Sequence, residues 1–338
     1  MSAQQLLNYR DGDAVRAAVR DTDGVVVDVG RAASYLASDH AGTSVVDVND
    51  LLSLESWRDL VDEVVSDPGA LPEACLVGID LSDGSGALAA PVRPSQVPAV
   101  GINTEGLVDS ALSFLRELPS QAPFWWFKSP HAVVGPGEAI VHPGEFHTRR
   151  LIPEPELGIV IGRPLGPGVA SPRASEAAAY VAGFTVCNDV SALDIEFERG
   201  GDPFAYNLSW SKSYPGFAPI GPAITLTSEI DPLTCPVEMT VNGEPIIASS
   251  AAAHLWSVWE LIEYFGAVLP LVPGDLIMCG NHPPTKVIEP GDEVQITIGG
   301  IGTLRSPVTA MEQPTTFRVP DRAADFARAY HERQAAVG

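Results

Sequence analysis

The chain has 338 residues, 45% of them hydrophobic, enough to bury a large core without disulfides or a structural metal. Asp and Glu outnumber Lys and Arg by 43 to 20 and no basic run interrupts the excess, so neither nucleic acid nor an anionic membrane is an expected partner. The same field repels small anions at long range, so a site for an anionic substrate needs a cation or clustered basic side chains beside it.

In chain order, residues 1–90 read as a small N-terminal α+β domain. MSAQQLLNYRDGD carries no basic segment followed by an apolar one, and nowhere do 18 apolar residues run together, so a cytoplasmic protein is expected. VRAAVRDTDGVVVDVG holds short strand-like runs around Asp-Gly, and LESWRDLVDEVVSD spaces its apolar residues as a helix does. The Gly, Ser and Pro of DLSDGSGALAAPVRPSQVP mark a connector.

Residues 91–312 read as a mainly β catalytic body. LGIVIG, YVAGFTVCND, CPVEMTVNG and DEVQITIGGIGTL are strand-like runs between Pro and Gly punctuation, and Asn242-Gly243 is a hairpin turn. Helices are expected at SEAAAYVAG and HLWSVWELIEYFGAVL, and residues 313–338 as a C-terminal helical arm. Cys75, Cys187, Cys235 and Cys279 lie far apart and read as buried small apolar side chains.

Glu154 and Glu156 stand two residues apart before an apolar strand, so both carboxylates address one side of it. Paired carboxylates in apolar surroundings repel unless they share a cation or a proton. An all-oxygen donor set selects a hard cation, magnesium or manganese, and Asp189 at the end of YVAGFTVCND is the candidate third ligand.

The successive blocks APVRPSQVPAVGIN, FKSPHAVVGPGEAI, PEPELGIVIG, VAGFTVCNDVSALD, KSYPGFAPIGPAI, VPGDLIMCG and PGDEVQITIGGIGTLRSPV resemble, in content and order, those of the fumarylacetoacetate hydrolase superfamily. The resemblance implies a mixed β-sandwich or β-roll body preceded by a small domain, and a homodimer. It implies Glu154, Glu156 and Asp189 as metal ligands, with Lys212 beside metal and substrate and Lys128 as a second lysine of the site. A divalent ion chelating a 2-oxo carboxylate lowers the cost of an enolate, from which C–C hydrolysis, decarboxylation or dehydration can follow.

Three departures bear on which outcome follows. Aligned on Gly101 and Asn103 of GINTEGLVDSA, Leu107 and Ser110 stand where hydrolytic relatives carry a lid His and Glu, with Glu105 and Asp109 as substitutes. After MCG the chain runs into Asn281, His282, Pro283 and Pro284; Asn281 takes the place of a substrate-contacting threonine, and His282 is the candidate acid or base that the lid lacks. Leu193 replaces an arginine, which weakens the case for a dicarboxylate. Trp125, Trp126, Phe127 and Trp210 are core or pocket-lining residues. The first expectation is a C–C bond hydrolase of acylpyruvate type acting on a small carboxylate. The second is a lyase, either a sugar-acid dehydratase or an oxaloacetate-type decarboxylase, and the third a metal-binding protein without catalysis.

Overall fold

The computed structural model describes residues 3–36, 38–79, 86–110, 122–197 and 208–313 and a few positions beyond, so most of the expected C-terminal arm lies outside the described residues. The fold is mainly β with few helices, as expected. A large mixed sheet runs in the order Val26–Asp28, Ala14–Arg20, Gln5–Asp11, Ala218–Leu226, Val181–Asn188, Pro155–Ile161, Leu276–Met278, Val97–Gly101 and Phe124–Lys128. A second sheet orders Glu244–Ser250, Pro236–Val241, Glu293–Ile298, Gly302–Ala310 and Ile140–His142 and packs against the middle strands of the first.

Strands Pro155–Ile161 and Val181–Asn188 are buried along their whole length, which is why both read as continuous apolar runs rather than alternating ones. The Asn242-Gly243 hairpin forms as expected: both residues adopt positive φ, 54° and 78°, the twist that a two-residue turn between antiparallel strands requires. The helix Val258–Val268 starts on a capping box in which Ser257 and Glu260 satisfy each other's backbone N–H groups. The helix expected at SEAAAYVAG is instead a 3-10 segment, Ala174–Tyr180, because the β-forming run from Val181 is claimed by the sheet.

The N-terminal strands extend the large sheet: Gln5 pairs with Thr225 and Leu6 with Ile224. Helix Trp57–Ser66 lies on the same structure, with Trp57 Nε1 donating to the Gly162 carbonyl at 3.3 Å and Arg58 to that of Val181 at 2.7 Å. Strand Leu88–Ala89, beside the expected boundary at residue 90, pairs back onto Asn8 and Tyr9. The main hydrophobic core runs through both parts, and a smaller cluster forms around Leu7, Tyr9, Val26 and Leu88. All four cysteines are buried and unbonded, and among the described residues no helix is long and apolar enough to cross a membrane.

Candidate active site

Sheet register assembles the site. Pro155 lies opposite Asn188 and Glu156 opposite Cys187, so Glu154 and Asp189, each just outside its strand, emerge side by side. The Asp189 N–H donates to the Glu154 carbonyl at 2.9 Å and the Glu154 N–H to Asn188 Oδ1 at 2.9 Å, which locks that relation.

Two buried lysines enter, one from the edge strand of the sheet and one from the turn after the short helix Leu208–Ser211. Lys128, the last residue of strand Phe124–Lys128, donates to Asp189 Oδ1 and, at 3.1 Å, to the Val190 carbonyl. Lys212 donates to Glu154 Oε2 at 2.6 Å, Asp189 Oδ2 at 2.8 Å and Ser191 Oγ at 2.5 Å. Its ammonium also stands 4.5 Å from the centre of the Trp126 ring and 3.7 Å from Glu196 Oε1.

Burial alone would raise the Asp189 acid, but the Lys128 and Lys212 ammoniums outweigh it and hold Asp189 below its ordinary value. Burial would likewise lower Lys212, yet Asp189, Glu154 and Glu196 together raise it. Lys128 goes the other way: burial dominates, Asp189 offsets only part of it, and the Lys212 charge adds to the lowering. Glu156 is pushed well above the carboxylate range by burial and then by the Asp189 charge, with one backbone donor, Gly280 N at 2.7 Å, pulling back. Glu196 is pushed up to about 7, chiefly by burial.

The loop after Met278 closes the site from a further side. Gly280 holds φ +112°, and an added Cβ would meet Asn103 Cβ at 2.6 Å, so only glycine brings this N–H to Glu156 without displacing Asn103. Asn103 grips that loop and the next, donating to the Cys279 carbonyl at 2.6 Å and accepting from Trp256 N at 2.8 Å. Asn281 Nδ2 donates to Glu154 Oε1 at 3.0 Å. That bond fixes the amide orientation, since the reverse would set oxygen against carboxylate, and it leaves Asn281 Oδ1 buried without a partner among the described residues.

The structure thus brings together Glu154, Glu156, Asp189, Lys128, Lys212 and Asn281. It places His282 differently: the ring is buried, Nδ1 pairs with Ser249 Oγ at 2.9 Å, and the ring stacks near His254 at 5.0 Å. Burial, then the neighbouring His254, lowers His282 to about 3. None of these contacts reaches the carboxylates, so the expected acid or base role finds no support in its surroundings. The lid substitutes are only partly visible. Glu105 opens the helix Glu105–Ser110 and is exposed, while the side chains of Asp109 and Ser110 lie outside the described residues. Sequence reading passed over Ser191 and Glu196, both partners of Lys212; Ser191 follows Asp189 by the same two-residue step that links Glu154 to Glu156.

The donor set suits a hard divalent cation: oxygen ligands only, with Glu156 a buried carboxylate that, among the described residues, no lysine neutralises directly. Among the described residues no three acidic, histidine or cysteine side chains converge closely enough to hold an ion as they stand. Lys212 occupies the converging oxygens of Glu154 and Asp189 instead.

Comparison with known proteins identifies the setting. The family described as Fumarylacetoacetate (FAA) hydrolase C-terminal matches residues 96–309, and the chain belongs to that family. It is 32% identical over 215 residues to the uncharacterised protein MJ1656 of Methanocaldococcus jannaschii, covering 64% of this chain and 83% of that one. It is 33% identical over 225 residues to the mitochondrial oxaloacetate tautomerase FAHD2A of Bos taurus, covering 64% and 67%. Among solved structures, 5-carboxymethyl-2-hydroxymuconate delta-isomerase from Mycobacterium smegmatis superposes with a TM-score of 0.64 at 25% identity, over 91% of this chain and all of that one. Enzymes of this family commonly use divalent metals.

Proposed function

We propose that the protein is a magnesium- or manganese-dependent enzyme that enolises a small 2-oxo or β-diketo acid of acylpyruvate type. The observation that carries this reading is the approach of Glu154 and Asp189 to one point, marked by their shared Lys212 contact, beside the buried and undercompensated Glu156. Glu154, Glu156 and Asp189 would hold the ion, with Lys212 yielding one of its carboxylate contacts. When bound, such an ion supplies Lewis acidity to the carboxylate and keto oxygens of a 2-oxo acid.

The chain's own residues do the rest. Lys212 and Lys128 supply fixed positive charge beside the oxygens where negative charge develops, in a setting that excludes water. Asn281 Oδ1, an acceptor without a partner among the described residues, would take a hydroxyl or enol O–H of the substrate. Moving one proton between carbon and oxygen suffices for keto–enol tautomerisation and asks for no activated water. The bovine relative's name, oxaloacetate tautomerase, supports that outcome.

A second reading, C–C hydrolysis of an acylpyruvate, is favoured by the placement of helix Glu105–Ser110. Thr104 Oγ1 donates to the Asn281 carbonyl at 2.9 Å, which ties Glu105 to the loop bordering the site. Purified protein with magnesium, given oxaloacetate, acetylpyruvate and a 2-keto-3-deoxy pentonate, separates the outcomes. Metal-dependent acceleration of enol–ketone exchange is expected for the first two. Release of pyruvate and acetate from acetylpyruvate would install the hydrolase, loss of water from the sugar acid the lyase, and metal binding without turnover of any substrate would refute the enzymatic reading.

A further inference from the structure

Among the described residues, strand Phe124–Lys128 is the last of the large sheet, paired on one side only, with Val97–Gly101. Alternation along it puts Trp126 on the face of Lys128, while Trp125 turns the other way and packs edge-on against Phe265. Two features of Trp126 stand out. Its ring is the surface against which the Lys212 ammonium rests, at 4.5 Å. Its Nε1–H is buried and, among the described residues, has no acceptor, an arrangement that costs the free protein a hydrogen bond.

The lysine beside it is already saturated. A lysine ammonium has three N–H donors, and those of Lys212 meet Glu154, Asp189 and Ser191. In the free protein, the indole N–H of the ring that carries Lys212 is thus a donor without an acceptor among the described residues. The fold also makes room for this ring: a Cβ on Gly101 would overlap the far edge of the indole, so the neighbouring strand carries glycine where Trp126 crosses it.

We propose that Trp126 determines specificity at this site. Its N–H donates to the oxygen of a 2,4-dioxo acid remote from the carboxylate, and its ring packs against the planar enol segment between. The inference rests on the enzymatic reading above, in which the carboxylate and 2-oxo oxygens are engaged by the cation, leaving the third oxygen for the protein to recognise. The substrate class is thereby narrowed to 2-oxo acids with a second carbonyl, and acids lacking it leave the indole N–H unpaired.

Calorimetry on the full chain with magnesium tests this, using oxalate, which has no remote oxygen, and acetylpyruvate measured by its displacement of oxalate. In Trp126→Phe, oxalate affinity should stay within about twofold of the parent while acetylpyruvate weakens about tenfold, the worth of one buried hydrogen bond. Gly101→Ala, which shifts the ring without removing it, should show the same selective loss and serves if Trp126→Phe does not fold. Unchanged acetylpyruvate binding, or equal weakening of both ligands, would overturn the proposal. A parent protein that takes up magnesium but no oxalate would overturn the enzymatic reading and this inference with it.

Discussion

Glu156 is buried beside other carboxylates, and among the described residues no lysine or arginine pairs with it. Its carboxyl is raised well above the ordinary range by burial and by Asp189, so the native state binds a proton that the unfolded chain has released. Stability contributed by that proton is present at low pH and declines as pH rises from the carboxylate range toward the raised native value. Glu156→Gln, which keeps the shape and removes the titration, should leave the metal-free protein at least as stable as the parent by thermal melting at pH 8. The same substitution should weaken magnesium uptake at least tenfold. Glu196 works in the same direction over a narrower window, from its ordinary value near 4.5 to about 7. Glu196→Gln should remove a stability slope on the order of 1 kcal/mol per pH unit across it. Asp189 is the opposite case: its charge is matched by two buried ammoniums, and Asp189→Asn should cost about 3–5 kcal/mol in denaturant melts, because it strands the buried Lys128 while Lys212 keeps Glu154.

At the scale of elements, the loop from Cys279 to Pro284 faces two ways at once, toward the site and toward strand Glu244–Ser250. Gly280 and Asn281 face the carboxylates, while His282 turns to Ser249 on strand Glu244–Ser250. His282 is held neutral, lowered to about 3 by burial, whereas the unfolded chain protonates it below about 6.5. Its contribution is therefore complete above that value and lost as pH falls toward 3. Acid melts of His282→Gln should show a shallower loss of stability between pH 6 and 4, and magnesium uptake at neutral pH should be unchanged. Sequence pattern exposed the parts of this element whose determinants are local. The Glu154–Glu156 step, the end of the apolar strand at Asp189 and the Asn242-Gly243 turn all follow from residues within a few positions of one another. It did not expose the direction of His282, or the partnership of Lys212 with Trp126, Ser191 and Glu196. Those depend on how distant strands register, and a lone His in a Pro-rich loop carries no signal for which of two faces it will choose.

For the whole molecule, the union of the N-terminal strands with the main sheet was equally hidden, since Gln5 and Thr225 meet across the length of the chain. The composition had only marked a change of character near residue 90. The excess of Asp and Glu, a net charge of -23, also acts at this scale. Like charges repel across the folded surface, and salt screens them with a Debye length of about 10 Å at 0.1 M. Raising sodium chloride from low to moderate concentration should raise the melting temperature, and magnesium at matched ionic strength should raise it further by specific uptake. The measurement that bears most directly on the central claim is a magnesium titration by calorimetry of the parent and of Glu156→Gln. One saturable site in the parent, weakened at least tenfold in the variant, is the predicted result. No saturable heat in the parent, or equal affinity in both proteins, would contradict it.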